Sequence, residues 1–150
     1  QRIELENENV QMSSNYVDGE LDGEFIIYGK NKNIIHLIHY EKGRKNGKEI
    51  LYNEAGKVKK ETDYKNNMKY GTEKEYSDDG EILLLEANYV EGLLHGSYVS
   101  FHEDGNRKFE GRAMDGKFHG EAYFYDKNGD LESEVIYEHG EVARKIEHKK

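Results

Sequence analysis

The chain has 150 residues, of which 31 are acidic and 22 are basic, giving a formal net charge of −9. This charge disfavours nucleic acids and anionic lipid surfaces as partners, because both are polyanions. The absence of cysteine excludes disulfides, thiolate metal sites and a cysteine nucleophile, and no apolar run approaches the ~20 residues of a membrane-spanning helix.

The sequence contains a repeat of about 24 residues that can be followed from end to end. Its opening position recurs every 24 or 25 residues as Tyr16, Tyr40, Tyr64, Tyr89, Ala113 and Tyr137. A glycine follows three residues later, a second glycine four after that, an aromatic residue five further on, and a third glycine four beyond it. The spacing predicts five repeats, at 16–39, 40–63, 64–88, 89–112 and 113–137.

The two ends of the chain are predicted to carry incomplete repeats. Residues 1–15 read as a capping half-repeat, in which Val10, Met12 and Ser14 alternate onto the face of Tyr16. Residues 138–150 read as a partial repeat that ends in a basic tail. Lysines in that tail would protect the last strand from pairing with other chains.

Each full repeat is predicted to contain two strands. The first follows the second glycine: 25–28, 48–52, 72–76, 97–101 and 121–125. The second follows the third glycine and alternates apolar and polar residues: 33–40, 57–64, 81–89, 106–113 and 130–137. The pattern therefore predicts an all-β chain of tandem β-hairpins, with no helix longer than a turn or two.

Glycines mark both kinds of connection between the strands. Gly56, Gly80, Gly105 and Gly129 close the turn inside each hairpin, where a left-handed residue is expected after a type I turn. The connection between hairpins, for example 41–47, is expected to be a longer loop. The third repeat has one extra residue, for which we expect a β-bulge near Leu83 to Leu85.

These columns resemble the MORN repeat, and more closely its bacterial variant. The match is carried by Tyr40, Gly43, Gly47, Tyr52 and Gly56 and their counterparts from Tyr16 to Arg144. The resemblance implies one long, curved antiparallel sheet of β-hairpins that serves as a scaffold. Bacterial proteins with such repeats include those labelled YwqK-type antitoxins, which implies a protein partner. Asn67, Lys32, Ala113 and Arg144 depart from the pattern.

Side chains that suggest chemistry have simpler structural interpretations. His95 and His119 occupy one slot in successive repeats, which would place them ~9–10 Å apart, too far for a shared zinc ion. The segment 126–130 resembles a calcium loop, but leucine occupies the position that requires glycine. Glu61, Glu86, Glu110 and Glu134 form one column on an exposed face. We therefore predict no enzymatic activity, metal or cofactor.

Partner binding is the function that the sequence favours, with a protein or peptide as the partner. An aromatic ladder of Tyr28, Tyr52, Tyr76, Phe101 and Tyr125 is expected to form core, with a partner-binding groove as the alternative. The other function considered is a cell-envelope module that touches lipid or glycan. The residues that could form its basic patch are Lys42, Arg44, Lys45, Lys48, Lys57, Lys59 and Lys60.

The first residue of the sequence bears on localisation. The sequence begins at Gln1 rather than at a methionine, which favours an exported bacterial protein (periplasmic, surface or secreted) whose signal peptide has been removed. A cytoplasmic protein is the alternative.

Overall fold

The computed structural model describes residues 1–6 and 11–149, and every regular element in those residues is a β-strand. The prediction of an all-β chain is therefore confirmed, while the position of Val10 lies outside the described residues. The strands are β1 (Arg2–Glu6), β2 (Gln11–Val17), β3 (Glu20–Leu21), β4 (Gly23–Tyr28), β5 (Ile34–Glu41), β6 (Arg44–Tyr52), β7 (Val58–Lys65), β8 (Met68–Tyr76), β9 (Leu83–Val90), β10 (Leu93–Phe101), β11 (Arg107–Met114), β12 (Lys117–Phe118), β13 (Gly120–Tyr125), β14 (Leu131–Glu138) and β15 (Glu141–Glu147).

The strands form one antiparallel sheet in which spatial order follows sequence order. The path runs β1-β2-β4-β5-β6-β7-β8-β9-β10-β11-β13-β14-β15 without a crossover. The short strands β3 and β12 pair with β2 and β11 and precede β4 and β13 directly in the chain. The predicted single sheet of hairpins is thus confirmed, and no second layer covers it among the described residues.

The connections between hairpins are two-residue turns, so the prediction of a longer loop at 41–47 is wrong. Both turn residues have positive φ, as in Lys42 (49°) and Gly43 (74°), which is the signature of a type I′ turn. In residues 1–6 and 11–149 the turns of this kind are Asp18-Gly19, Lys42-Gly43, Asn66-Asn67, Glu91-Gly92, Asp115-Gly116 and His139-Gly140. Asn67 replaces glycine because asparagine tolerates this backbone region better than other side chains.

The second glycine of each repeat lies within a strand and not before it. Gly47 has a φ of 106°, and the pairing of β5 with β6 shifts register between Ile38 and Tyr40 on the facing strand. Such a shift is a β-bulge, which glycine accommodates at little cost. The first strand of the central repeats therefore starts earlier than predicted, at Arg44, Met68 and Leu93.

The turns inside the hairpins contain the four glycines singled out from the sequence. Gly56, Gly80, Gly105 and Gly129 have φ values of 83°, 76°, 92° and 88°. In the first repeat Lys32 occupies this position with a φ of 60°.

A β-bulge is present near Leu83 to Leu85 as expected, but it does not accommodate the extra residue of the third repeat, which lies in this turn. Ser77 N–H donates to Ile82 O, one residue further along than the Asn53 to Lys57 bond of the second repeat. A register shift does occur beside Leu83, but the same shift follows the hairpin turn in each of the five repeats.

The two faces of the sheet differ in burial. The packed face contains Ile38, Thr62, Ala87, Gly111 and Val135, which occupy one slot in successive repeats and are all buried. The open face contains the glutamate column of Glu61, Glu86, Glu110 and Glu134. Of the buried apolar side chains, all but Ile26 lie on the packed face. A single-layer sheet buries side chains in this way when neighbouring side chains on one face pack against one another.

Candidate interaction surface

The predicted aromatic ladder does not form a continuous stack. Tyr28, Tyr52, Tyr76, Phe101 and Tyr125 are all half-buried at the ends of their strands, beside the turns inside the hairpins. None of the ring–ring contacts in the described part of the chain involves these five residues. Their slots recur on every second strand, ~9–10 Å apart, which is beyond the range of ring stacking.

A different set of rings forms the aromatic cluster of this protein. Phe109 lies at its centre, with its ring centroid 5.8 Å from that of Tyr98, 5.1 Å from Phe118 and 4.9 Å from Phe124. Tyr137 extends the cluster through Phe118 at 5.6 Å. These five residues lie on the packed face of the fourth and fifth repeats, and most of their contacts are edge-to-face, the geometry that aromatic pairs favour.

Two small residues make room for this cluster. A Cβ atom on Gly111 would lie 2.8 Å from Cζ of Phe109, so the ring covers the bare glycine backbone. Ala113 takes the opening tyrosine slot and pairs directly with Phe118. Ala113 therefore departs from the repeat pattern because, in this pair of facing residues, the aromatic ring is that of Phe118 on the neighbouring strand.

The slots of Tyr98, Phe118 and Tyr137 hold charged and tyrosine side chains in earlier repeats. These form a charged ladder of Lys45, Glu49, Tyr64, Lys69, Glu73 and Tyr89. The Lys45–Glu49 and Lys69–Glu73 ion pairs have N–O distances of 2.5 and 2.7 Å. Each ammonium also lies over the tyrosine of the next opening slot. The nitrogen-to-centroid distances are 4.8 Å for Lys45 over Tyr64 and 4.7 Å for Lys69 over Tyr89.

Glu73 is the most enclosed charge of this ladder, with 4 % of its surface exposed. The Thr62 hydroxyl donates a hydrogen bond to its carboxylate at 3.1 Å, in addition to the Lys69 ion pair. Partial burial would lower the pKa of Lys69, but the hydrogen bond to Glu73 and its charge outweigh burial and raise that pKa. Lys69 therefore remains charged at neutral pH.

The basic residues of the second repeat do not form a patch. Lys45 lies on the packed face, whereas Lys48 pairs with Asp63 on the open face at 3.0 Å. The other ion pairs join Lys57 to Glu81, Lys59 to Asp78 and Lys60 to Glu75. Five of the seven candidate residues are thus neutralised by acidic neighbours, which removes the feature on which lipid contact was considered.

The two candidate histidines, and Glu110 and Glu134 of the acidic column, contact other side chains or backbone groups. His95 Nδ1 lies 3.4 Å from the N–H of Asp115 in the next turn, and Glu110 pairs with Arg107 at 2.7 Å. His119 contacts His139, with ring centroids 5.5 Å apart, and not His95. Within residues 1–6 and 11–149, no three His, Asp or Glu side chains are grouped to hold a metal ion.

An exposed apolar strip crosses the open face where the hairpins of the third to fifth repeats end. The strip consists of Met68, Tyr70, Val90, Leu93 and Met114, which are between 38 % and 53 % exposed. Val90 pairs with Leu93, and Leu93 lies against the next turn, 3.4 Å from the position of a Cβ on Gly116. Because Gly71 pairs with Tyr89, the next residues outward, Tyr70 and Val90, are neighbours on the paired strands β8 and β9.

Three cations border this strip, and sequence reasoning did not single them out. Lys65 pairs with Met68 at one end and extends over the ring of Tyr70, at 5.2 Å from its centroid. Lys117 pairs with Met114 at the other end, and Arg112 lies two residues from Met114 on the same face. None of the ion pairs in the described residues involves these three side chains.

The turns beyond the strip are acidic. Glu91 and Asp115 are the first residues of their type I′ turns, so they lie past the apolar side chains at the hairpin tips. The residues that the structure describes include no helix of the length and apolarity needed to cross a membrane.

Comparison with known families identifies the hairpin unit in two places. Residues 45–66 and 118–139 match the MORN repeat variant. Each segment covers one hairpin, from the strand after a type I′ turn to the next such turn. The two starts are 73 residues apart, which is three repeats of 24 plus the extra residue of the third repeat. No curated protein matches the chain significantly. The second and fifth repeats of this sheet are therefore those that the MORN repeat variant identifies.

Proposed function

We propose that this protein is a non-enzymatic repeat scaffold that binds another protein through its sheet. The observation that carries the proposal is the apolar strip of Met68, Tyr70, Val90, Leu93 and Met114. The largest exposed apolar patch of a protein is often a functional contact site. Methionine and tyrosine suit such a site, because one adapts its shape and the other combines an apolar ring with a hydroxyl.

An antitoxin that occupies the surface of a toxin protein is a more specific form of this proposal. It is supported by the resemblance to the bacterial MORN variant and by the two matching hairpins. The open sheet provides the extended surface that repeat proteins use for binding.

Site-specific photo-cross-linking in the cells that make the protein tests the proposal. The full chain carries a cross-linking amino acid at position 93 in the strip, at position 52 in the predicted ladder, or at position 103 as an exposed control. We expect a discrete protein adduct from position 93 and none from position 103. A protein adduct from position 52 alone would show that the partner contacts the predicted aromatic ladder and not the apolar strip. If neither position 93 nor position 52 gives a protein adduct, the scaffold proposal is wrong.

A further inference from the structure

We propose that the apolar strip binds an amphipathic helix of the partner protein, with acidic residues at both ends of that helix. This inference rests on the proposed function, because it assigns the chemistry of the partner at the same surface.

The direction of the strip favours a helix over an extended segment. The strip crosses β8 to β11, and these strands already pair with neighbours on both sides. An extended peptide would find no free strand edge there and would leave its own N–H and C=O groups unpaired against apolar side chains. A helix satisfies its backbone internally and presents an apolar stripe of matching width.

The charges at the border determine which helix fits. From Lys65 on β7 to Lys117 on β12 there are five strand spacings, or ~24 Å. A helix of about 16 residues spans that distance at 1.5 Å per residue. Acidic residues in its first and last turns would meet Lys65 at one end and Lys117 with Arg112 at the other. In a chain with a net charge of −9, these unpaired cations give the strip a charge opposite to that of its surroundings.

Two other occupants fit the strip less well. A second copy of the chain, packed strip to strip about a two-fold axis, would set Lys65 opposite either Lys65 or Lys117 of its partner, and both arrangements are repulsive. A membrane would first meet the hairpin tips, where Glu91 and Asp115 are exposed. Anionic headgroups repel these carboxylates before the apolar side chains could insert.

Methyl NMR of the full chain can test this inference, because the sequence has only three methionines. With ¹³C-methyl methionine, Met68 and Met114 report on the strip, and Met12 on β2 is an internal control. The probe is an 18-residue capped peptide with leucine at helical i, i+3, i+4 and i+7 spacing and glutamate in its first and last turns. A second peptide carries lysine in place of every glutamate.

We expect the acidic peptide to shift Met68 and Met114 but not Met12, and to bind at least about tenfold more tightly than the basic peptide, the effect of ~1.4 kcal/mol. Lys65→Glu with Lys117→Glu should reverse the preference. Lys30→Glu with Lys127→Glu changes the net charge equally, in turns at the other ends of the hairpins, and should leave it unchanged. Thermal unfolding of both double variants should match that of the unsubstituted protein.

Three outcomes would overturn the inference: equal affinity for the two peptides, a shift at Met12 of the same size, or a shift of the strip methionines by phosphatidylglycerol vesicles with no response to peptide. If the peptide fails while a cellular protein still cross-links to the sheet, only the inference is wrong. If the peptide binds but no cellular protein cross-links at either position, the proposed function is wrong.

Discussion

The packed face of the sheet is built in two different ways along its length. In the second and third repeats its slots hold the charged ladder of lysine, glutamate and tyrosine. In the fourth and fifth repeats the corresponding slots hold uncharged residues, of which Tyr98, Phe118 and Tyr137 belong to the aromatic cluster around Phe109. The backbone follows the same plan in the two regions, with positive-φ turns, bulges and register shifts at equivalent positions, apart from the extra residue in the hairpin turn of the third repeat.

Because the two regions share a backbone plan but differ in side chains, the fold depends little on which side chains fill these slots of the packed face. Lys45 and Lys69 correspond to Leu94 and Phe118, and Glu49 and Glu73 to Tyr98 and Ala122. The charged ladder compensates for partial burial by direct pairing, whereas the aromatic cluster removes apolar surface from water. We therefore expect the aromatic region to contribute more free energy of unfolding, since ion pairs recover little beyond their desolvation cost.

The largest effect is expected at the centre of the aromatic cluster. Phe109→Ala removes a buried ring that contacts three others, and it should cost about 3–5 kcal/mol of unfolding free energy. Phe101→Ala is the matched control, because Phe101 is half-buried and contacts no other ring of the described chain. Urea unfolding at a constant m-value measures both. Equal losses would mean that the cluster has no special role.

Substitution of a turn glycine should cost the same unfolding free energy in both regions. Gly56 and Gly105 both have positive φ, and a Cβ on either would meet no atom within 4 Å. Gly56→Val and Gly105→Val should each cost about 2 kcal/mol, because the penalty is the left-handed backbone itself. Chemical denaturation of the two variants compares the costs. A difference above about 0.5 kcal/mol between the two costs would show that side-chain packing on the packed face also affects the stability of the turns.

The charged ladder can be converted into an apolar contact. Glu73→Gln should cost about 1–2 kcal/mol, a value reduced because Lys69 is 31 % exposed and partly screened. Lys69→Leu with Glu73→Tyr introduces the Leu94 and Tyr98 pair of the next repeat and should recover most of that loss. Glu61→Gln on the open face is the control and should change little. Failure of the double variant to recover stability would show that an apolar contact cannot replace the Lys69–Glu73 ion pair at this position.

The smallest expected effect concerns pH. Partial burial would raise the pKa of Asp63, but hydrogen bonds from Thr72 and Lys48 outweigh burial and lower it. A carboxyl with a lowered pKa stabilises the fold above its unfolded pKa, and this contribution is lost as the pH falls through the folded pKa. Asp63→Asn should therefore cost about 1 kcal/mol near pH 7 and almost nothing near pH 2.

Arg112 holds the corresponding position in the fourth repeat and is the control for this measurement. Urea midpoints across the pH range should show a constant offset for Arg112→Gln, because no carboxyl titrates at that position. A cost of Asp63→Asn that stays unchanged in acid would mean that the aspartate contributes through packing alone.

The repeat period and the two-strand unit could be predicted because tyrosines and glycines recur at fixed spacings in the sequence. The connections were harder to predict. Gly43 looks like part of a loop in isolation, yet Lys42 and Gly43 together form a hairpin turn, and Asp115-Gly116 is among the strongest hairpin signals known. The bulge at Gly47 was missed because a positive φ inside a strand leaves no trace in apolar alternation.

The surface was less predictable than the fold. Lys45 and Lys48 are three residues apart and so should lie on opposite faces of a regular strand, but a basic run in a sequence suggests a patch. The strip residues escaped notice because Val90, Leu93 and Met114 occupy strand ends in different repeats. Only the register, which pairs Val90 with Leu93 and brings Leu93 against Gly116, places them together.

The strictly sequential pairing of the strands has a mechanical consequence. If the described part of the chain is stretched from β1 to β15, these two strands carry the load first, because they are the outermost strands of the described sheet. Each strand would then detach from a single neighbour, so hydrogen bonds break a few at a time and not along several strands at once. Such a sheet should unzip at low force in small steps and re-form readily, since each strand re-pairs with its neighbour in sequence.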